Sequence, residues 1–116
     1  MTIAFTSEVD INIGIPSSSI AGNIVADINN ISIDGTCKCK FYFHKLNDPQ
    51  CLNPDNVFNT IYPVILNTDN SIDIVVHFCL INLTQQDLDS VNLESIIYNK
   101  VADKLNQEYG WSVVVA

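Results

Sequence analysis

The 116-residue chain carries 13 acidic residues against five lysines and no arginine, which gives a formal net charge of −8 at pH 7. This balance disfavours binding to nucleic acid or to an anionic membrane surface, because both depend on clusters of lysine and arginine. The length predicts one domain covering residues 1–116, and a hydrophobic fraction of 47% predicts a packed core rather than a disordered chain.

The N-terminus shows no targeting segment. Its residues lack the positive charge and the continuous apolar run of a signal peptide, and no apolar run in the chain is long enough to cross a bilayer. We therefore expect a cytoplasmic protein, or one assembled into a particle made in the cytoplasm, with its four cysteines reduced.

The chain begins with two predicted strands. Residues 2–15 alternate apolar and polar side chains, which is typical of a long strand with one buried face, and Pro16 ends the pattern. A second strand is predicted at 23–33. Its apolar positions change phase at Asn29–Asn30, which indicates a β-bulge or a tight turn.

A hairpin turn at Asp34–Gly35 leads into a third predicted strand at 36–46, because glycine readily supplies the positive φ that such turns need. The expected buried face of this strand consists of Cys37, Cys39, Phe41 and Phe43. An extended loop is expected at 47–57. The short strand expected at 58–66 contains Pro63, which favours an edge position in the sheet.

The most apolar stretch, residues 71–83, predicts a central strand. One of its two alternating sets comprises Ile72, Ile74, Val76, Phe78 and Leu80. The other comprises Val75, Cys79, Ile81 and Leu83, joined by His77. A strand that is apolar on both faces is expected to be covered on both faces.

One amphipathic helix is predicted after this strand. Asn92 is the expected N-cap, with Ser90 as a near-equal alternative, and Gly110 is the expected stop. Its apolar stripe comprises Leu93, Ile96, Ile97, Val101 and Leu105. The fold class is therefore α+β: a mainly antiparallel sheet of five to six strands with one C-terminal amphipathic helix packed on a face. The alternative is a β-sandwich with a peripheral helix.

Two short pairs of metal-ligating residues lie on the predicted strands. Cys37 and Cys39, and likewise His77 and Cys79, are two positions apart, so each pair projects from one face of its strand. If the strands are neighbours, four ligands converge as a zinc site requires, and Cys51 can replace one of them. Buried free cysteines are also ordinary core residues, and we favour that interpretation. No cofactor is expected.

A basic and aromatic segment offers a ligand-binding hypothesis. Lys38, Lys40, Tyr42 and His44 lie on one face of the third strand, and with Lys45 this segment holds three of the five lysines. Such a face can bind an anionic ligand or an acidic protein. The alternative, which we favour, is a solvated face whose lysines protect a strand edge from aggregation.

The C-terminal residues 111–116 are β-prone and end without a polar stop. Trp111, Val113 and Val115 are therefore candidates for an interface with another subunit, since an exposed strand edge pairs readily with another chain. We expect a homo-oligomer or a subunit of a larger assembly, with a terminal strand taking part in the contact.

The sequence contains none of the common catalytic motifs, such as a glycine-rich phosphate loop, a G-x-S-x-G turn or an H-E-x-x-H helix. We therefore predict a protein that is not an enzyme. The expected function is assembly or interaction with other protein subunits, for instance as a viral or phage structural component, without nucleic acid or membrane as a partner. The alternatives are a small binding module for an anionic or nucleotide-like ligand and an acidic inhibitor of a basic protein.

Overall fold

An antiparallel sheet with one long helix on one face makes up the fold. A computed structural model of the chain describes residues 1–9, 21–46 and 64–116, without the side chains of residues 44–46, 64, 76 and 77. The strands are β1 (Ile3–Phe5), β2 (Ala21–Ala26), β3 (Thr36–Leu46), β4 (Val64–Leu66), β5 (Ile72–Asn82) and β6 (Val113–Val115). The helices are α1 (Gln85–Leu88) and α2 (Leu93–Tyr109), and a 3-10 turn covers Ile28–Asn30.

Within the described residues, the six strands form one sheet in the order β4-β5-β3-β2-β1-β6. Every pairing between neighbouring strands is antiparallel. The predicted α+β fold is thus confirmed. The alternative fold, a β-sandwich, is not confirmed, because the described strands lie in one sheet and α2 packs on it.

The N-terminal strand is shorter than the alternation predicts. β1 ends at Phe5, and residues 6–9 belong to no strand, while positions 10–15 lie outside the described residues. The phase change predicted at Asn29–Asn30 falls in the 3-10 turn. A turn then closes from Ser32 to Gly35, whose N–H donates to the Ser32 carbonyl at 2.9 Å and whose φ is 85°.

The third strand matches its predicted bounds and its predicted buried face. Cys37, Cys39, Phe41 and Phe43 are all fully buried. β3 lies between β5 and β2, so the interpretation of its lysines as edge protection is wrong. In the sheet formed by the described residues β4 is at an edge, which is the position predicted from Pro63. Residues 58–63 of the predicted strand and the predicted loop at 47–57 lie outside the described residues.

The expectation that β5 is covered on both faces is wrong, because a β-bulge divides the strand. Val75 pairs with Tyr42 and His77 with the next residue, Phe41, which leaves Val76 as an extra residue. An extra residue reverses which alternate positions face the core. Before the bulge the even positions Ile72 and Ile74 are buried, and after it the odd positions Cys79 and Ile81 are buried. Phe78 and Leu80 therefore face solvent.

Helix α2 covers the other face of the sheet with the predicted stripe. Asn92 is its N-cap, and Gly110 ends it with φ 65°. Its buried residues are Ile97, Tyr98, Val101, Ala102 and Leu105. Leu93 and Ile96 pack against the core while partly exposed. No helix in the described part of the chain is long and apolar enough to cross a membrane.

The short helix α1 is an element that the apolar periodicity did not predict. Its N-cap is a capping box, in which the Thr84 hydroxyl accepts from the Asp87 N–H at 3.1 Å and the Asp87 carboxylate accepts from the Thr84 N–H at 3.0 Å. The Thr-x-x-Asp spacing is a sequence signal for this cap, with Asp in place of the usual Glu or Gln.

Candidate binding face

The face of the sheet opposite α2 carries exposed apolar and basic side chains. Lys40 lies in register between Val25 of β2 and Phe78 of β5, and Lys38 lies opposite Leu80. The three apolar side chains, Val25, Phe78 and Leu80, are 50%, 51% and 56% exposed. Because paired strands are about 4.8 Å apart, these five residues form one continuous surface. We call them the lysine face.

Both lysines of this face contact aromatic rings. The Lys38 Nζ lies 4.8 Å from the centroid of the Phe78 ring, and the Lys40 Nζ lies 5.3 Å from the centroid of the Tyr42 ring. Exposed cation–π contacts of this kind contribute about 0.5–1 kcal/mol each. They hold the ammonium groups against the sheet without neutralising them.

The two lysines of helix α2 are in a different electrostatic situation. Lys100 pairs with the Asp87 carboxylate at 3.7 Å, and Lys104 pairs with Glu108 at 3.4 Å. Among the described residues, neither lysine of the lysine face has such a carboxylate partner. Within the described part of the chain, the lysine face therefore presents two ammonium groups that are not paired with a carboxylate.

A depression of about 500 Å³ adjoins the lysine face. Asp27 and Asn29, at the start of the 3-10 turn, form part of its rim. Both carboxylate oxygens of Asp27 lie 3.2 Å from the Asn30 side-chain amide, which donates to them. The rim thus places one negative group beside the two lysines.

The structure brings together three members of the predicted anionic-ligand set, Lys38, Lys40 and Tyr42, on one side of β3. Tyr42 is half-buried, and burial, followed by the negative charge of Asp73, raises the pKa of its hydroxyl. Its partner Val75 is only 6% exposed, so the exposed surface ends here. His44 continues the same strand, but its side chain lies outside the described residues.

The cysteines of the zinc hypothesis lie on the opposite, core-facing side of the sheet. Cys39 and Cys79 are direct partners across β3 and β5, and Cys37 lies two residues further along β3. All three are buried free thiols. His77 is in register with Phe41, and its side chain lies outside the described residues, as does Cys51.

Two of the three described thiols, those of Cys37 and Cys39, are in an environment that favours their protonated form, whereas hydrogen bonding with Cys39 lowers the pKa of the Cys79 thiol. Hydrogen bonding with Cys79, followed by burial, raises the pKa of the Cys39 thiol, and burial raises that of Cys37. The described side chains contain no group of three or more His, Cys, Asp or Glu residues placed to hold a metal ion. Because the hypothesis also includes His77, the four-ligand site stays a prediction.

The predicted interface residues of the C-terminus pack within the chain itself. Trp111 contacts Phe5 and Phe41, with ring centroids 5.7 and 6.2 Å apart. Val113 is 3% exposed, and Val115 packs partly buried against the core. An interface on β6 would therefore have to use its backbone edge rather than these side chains.

The backbone edge of β6 is partly occupied by a side chain of α2. The Asn106 amide donates to the Val113 carbonyl at 3.0 Å, and its oxygen accepts from the Val113 N–H at 2.9 Å. These two bonds take the place of the two hydrogen bonds that an added antiparallel strand would form with Val113. Tyr98 of α2 also bonds to a strand backbone. Its hydroxyl accepts from the N–H of Ile24, a residue of β2 that follows the part of this strand paired with β1.

Comparisons with known proteins supply no relative for this chain. No protein-family model matches it, and neither the curated proteins nor the solved structures searched include a match.

Proposed function

We propose that this protein is a non-catalytic interaction protein that binds another protein chain through the lysine face. The carrying observation is that Phe78 and Leu80 adjoin each other on one face of β5, with Val25 on the far side of Lys40, and that all three apolar side chains are about half exposed. Isolated exposed apolar side chains are common on protein surfaces, but adjoining ones are typical of binding surfaces. A partner that covers this patch gains the free energy of removing apolar area from water, about 25 cal/mol per Å².

The geometry also disfavours two ways in which identical copies could associate. A symmetric face-to-face dimer would bring Lys38 and Lys40 of two copies together, and such like-charge contacts are unfavourable. The edge of β6 is partly occupied by Asn106, so strand addition there would first break two hydrogen bonds. We therefore propose that the lysine face binds a different chain, or a different surface of a second copy within a larger assembly.

The proposed compartment is the cytoplasm. Cys37, Cys39 and Cys79 are free thiols in the structure, although Cys39 and Cys79 are direct cross-strand partners. A reducing compartment keeps such thiols unpaired.

A small anionic or nucleotide-like ligand is the second candidate, supported by the depression of about 500 Å³ beside two lysines. Its volume is within the range of about 300–1,000 Å³ that small-molecule sites occupy. We favour the protein partner because the lysine face exposes more apolar than polar side chains and continues beyond the depression to Leu80.

Peptide display on the immobilised full-length chain tests the proposal. We expect enriched peptides whose affinity falls about tenfold or more for Phe78→Ser, because this substitution removes the largest exposed side chain of the face. Val91→Ser is the matched control, since Val91 is 98% exposed in the connection between α1 and α2.

Two results would refute the proposal. One is the enrichment of peptides that bind Phe78→Ser as tightly as the unsubstituted chain. The other is a complete lack of enriched peptides, combined with light scattering that shows self-association unaffected by Phe78→Ser. The second result would instead support a homo-oligomer formed through another surface.

A further inference from the structure

Building on the proposed function, we propose that the partner presents an acidic segment, whose carboxylates pair with Lys38 and Lys40 while its apolar side chains cover Phe78 and Leu80. The proposal rests on charge complementarity. The chain as a whole is strongly acidic, with a net charge of −8. Its lysine face nevertheless displays two ammonium groups that have no carboxylate partner among the described residues.

The spacing of the two lysines specifies the segment further. Residues two positions apart on a strand lie on the same face about 6.8 Å apart. Carboxylates on alternate residues of an extended peptide have the same separation, so one such segment reaches both ammonium groups. At each of these positions the neighbouring strand offers an apolar contact, Phe78 beside Lys40 and Leu80 beside Lys38.

The same observations argue against a nucleic acid. A nucleic-acid site neutralises several phosphates, each by lysine or arginine, and its affinity is dominated by that term. The lysine face has two lysines and three apolar side chains, and the rest of the chain repels a polyanion. In physiological salt, charges more than about 8 Å apart are largely screened, so a short acidic segment feels chiefly the lysines that it contacts.

Asp27, on the rim of the depression, allows a second test of whether the partner is negatively charged. It places a carboxylate beside the depression that Lys38 and Lys40 line. An acidic segment bound there is repelled by this charge, whereas a neutral segment is not. Removing the charge with Asp27→Asn therefore strengthens binding of an acidic segment selectively.

The test uses the full-length chain and two synthetic peptides, one rich in Glu and Leu and its counterpart with Gln in place of Glu. Fluorescence anisotropy measures their affinities at low salt and at about 0.3 M salt, where the Debye length is shorter. We expect the acidic peptide to bind more tightly, to weaken as salt is added, and to weaken roughly tenfold for the double substitution Lys38→Gln and Lys40→Gln.

The matched control is the double substitution Lys100→Gln and Lys104→Gln, which removes the same charge from helix α2 and should leave the affinity within about twofold. Asp27→Asn should raise the affinity for the acidic peptide by about twofold and leave that for the neutral peptide unchanged. Circular dichroism of each variant checks that the fold is retained.

The results separate this inference from the proposed function. Equal binding of both peptides, or an acidic peptide insensitive to Lys38→Gln and Lys40→Gln, overturns the acidic partner but leaves an apolar binding face in place. A single-stranded oligonucleotide that binds more tightly than the acidic peptide, with the same dependence on the two lysines, also overturns it. Failure of both peptides overturns it as well, and the display experiment then decides whether the face binds protein at all.

Discussion

Asn106 bonds to the outer edge of β6 in the described sheet, and its replacement measures how much this contact stabilises the fold. Asn106→Ala removes both hydrogen bonds to Val113, the acceptor at 2.9 Å and the donor at 3.0 Å. Asn99→Ala is the matched control. Asn99 lies on the exposed side of the same helix, and its amide donates within the helix to Ser95, at 2.8 Å to the carbonyl.

The expected loss follows from the two bonds. Each intramolecular hydrogen bond contributes about 0.5–1.5 kcal/mol, so the pair contributes about 1–3 kcal/mol. Alanine is the better helix former by roughly 0.5 kcal/mol, but this gain is the same at both positions and cancels in the comparison. Asn99→Ala loses one hydrogen bond, to the Ser95 carbonyl. We therefore expect Asn106→Ala to be less stable than Asn99→Ala by the contribution of about one further bond, about 0.5–1.5 kcal/mol.

Urea denaturation followed by circular dichroism measures both variants, and hydrogen exchange at Val113 provides a local readout. If the two variants are equally stable to within about 0.5 kcal/mol, with unchanged exchange at Val113, the amide does not hold the edge. Light scattering on the same samples addresses the predicted contact through a terminal strand. If that contact uses the β6 edge, Asn106→Ala should increase self-association, because it frees the Val113 N–H and C=O.

Three other substitutions test the core, the close approach of two strands and the dependence of stability on pH. Ile97→Ala should cost about 2–4 kcal/mol by opening a cavity, while the exposed Asp103→Ala should cost little, and equal losses in urea denaturation would contradict the assigned helix face. Gly22→Ala should destabilise the protein by about 1–3 kcal/mol, because its Cβ would overlap the ring of Phe41, and Gly22→Ala in a chain carrying Phe41→Leu should cost less. The pKa of Asp87 is held below its ordinary value because its carboxylate accepts a backbone N–H at the N-cap of α1. The ionised carboxylate therefore stabilises the fold at pH values above its unfolded-state pKa. This stabilisation is lost as the pH falls through the folded-state pKa. Asp87→Asn should therefore be less stable than the unsubstituted chain at neutral pH and equally stable in acid, and a difference that persists in acid would exclude this linkage.

Local sequence patterns determined the elements that depend on neighbouring residues. The alternation from Cys37 to Phe43 specified the buried face of β3, because side chains of a strand alternate whatever the strand pairs with. The two ends of α2, at Asn92 and Gly110, were equally readable, because these residue types favour helix ends through their own local conformation, although the Asn92 side chain makes no capping hydrogen bond. Pro63, which cannot donate to a neighbouring strand, predicted an edge position, and β4 lies at an edge of the described sheet.

The tertiary structure alone decided which apolar side chains accompany Lys38 and Lys40 in the candidate site. The bulge at Val76 depends on how β5 registers against β3, and it turns Phe78 and Leu80 away from the core, although their sequence pattern favours burial. The sequence also does not reveal the roles of Asn106 and Tyr98. The groups that they bond, on Val113 and Ile24, come within reach only when α2 packs on the sheet. Periodicity records which side chains share a face, whereas only the pairing of strands and the placement of α2 determine which face is covered.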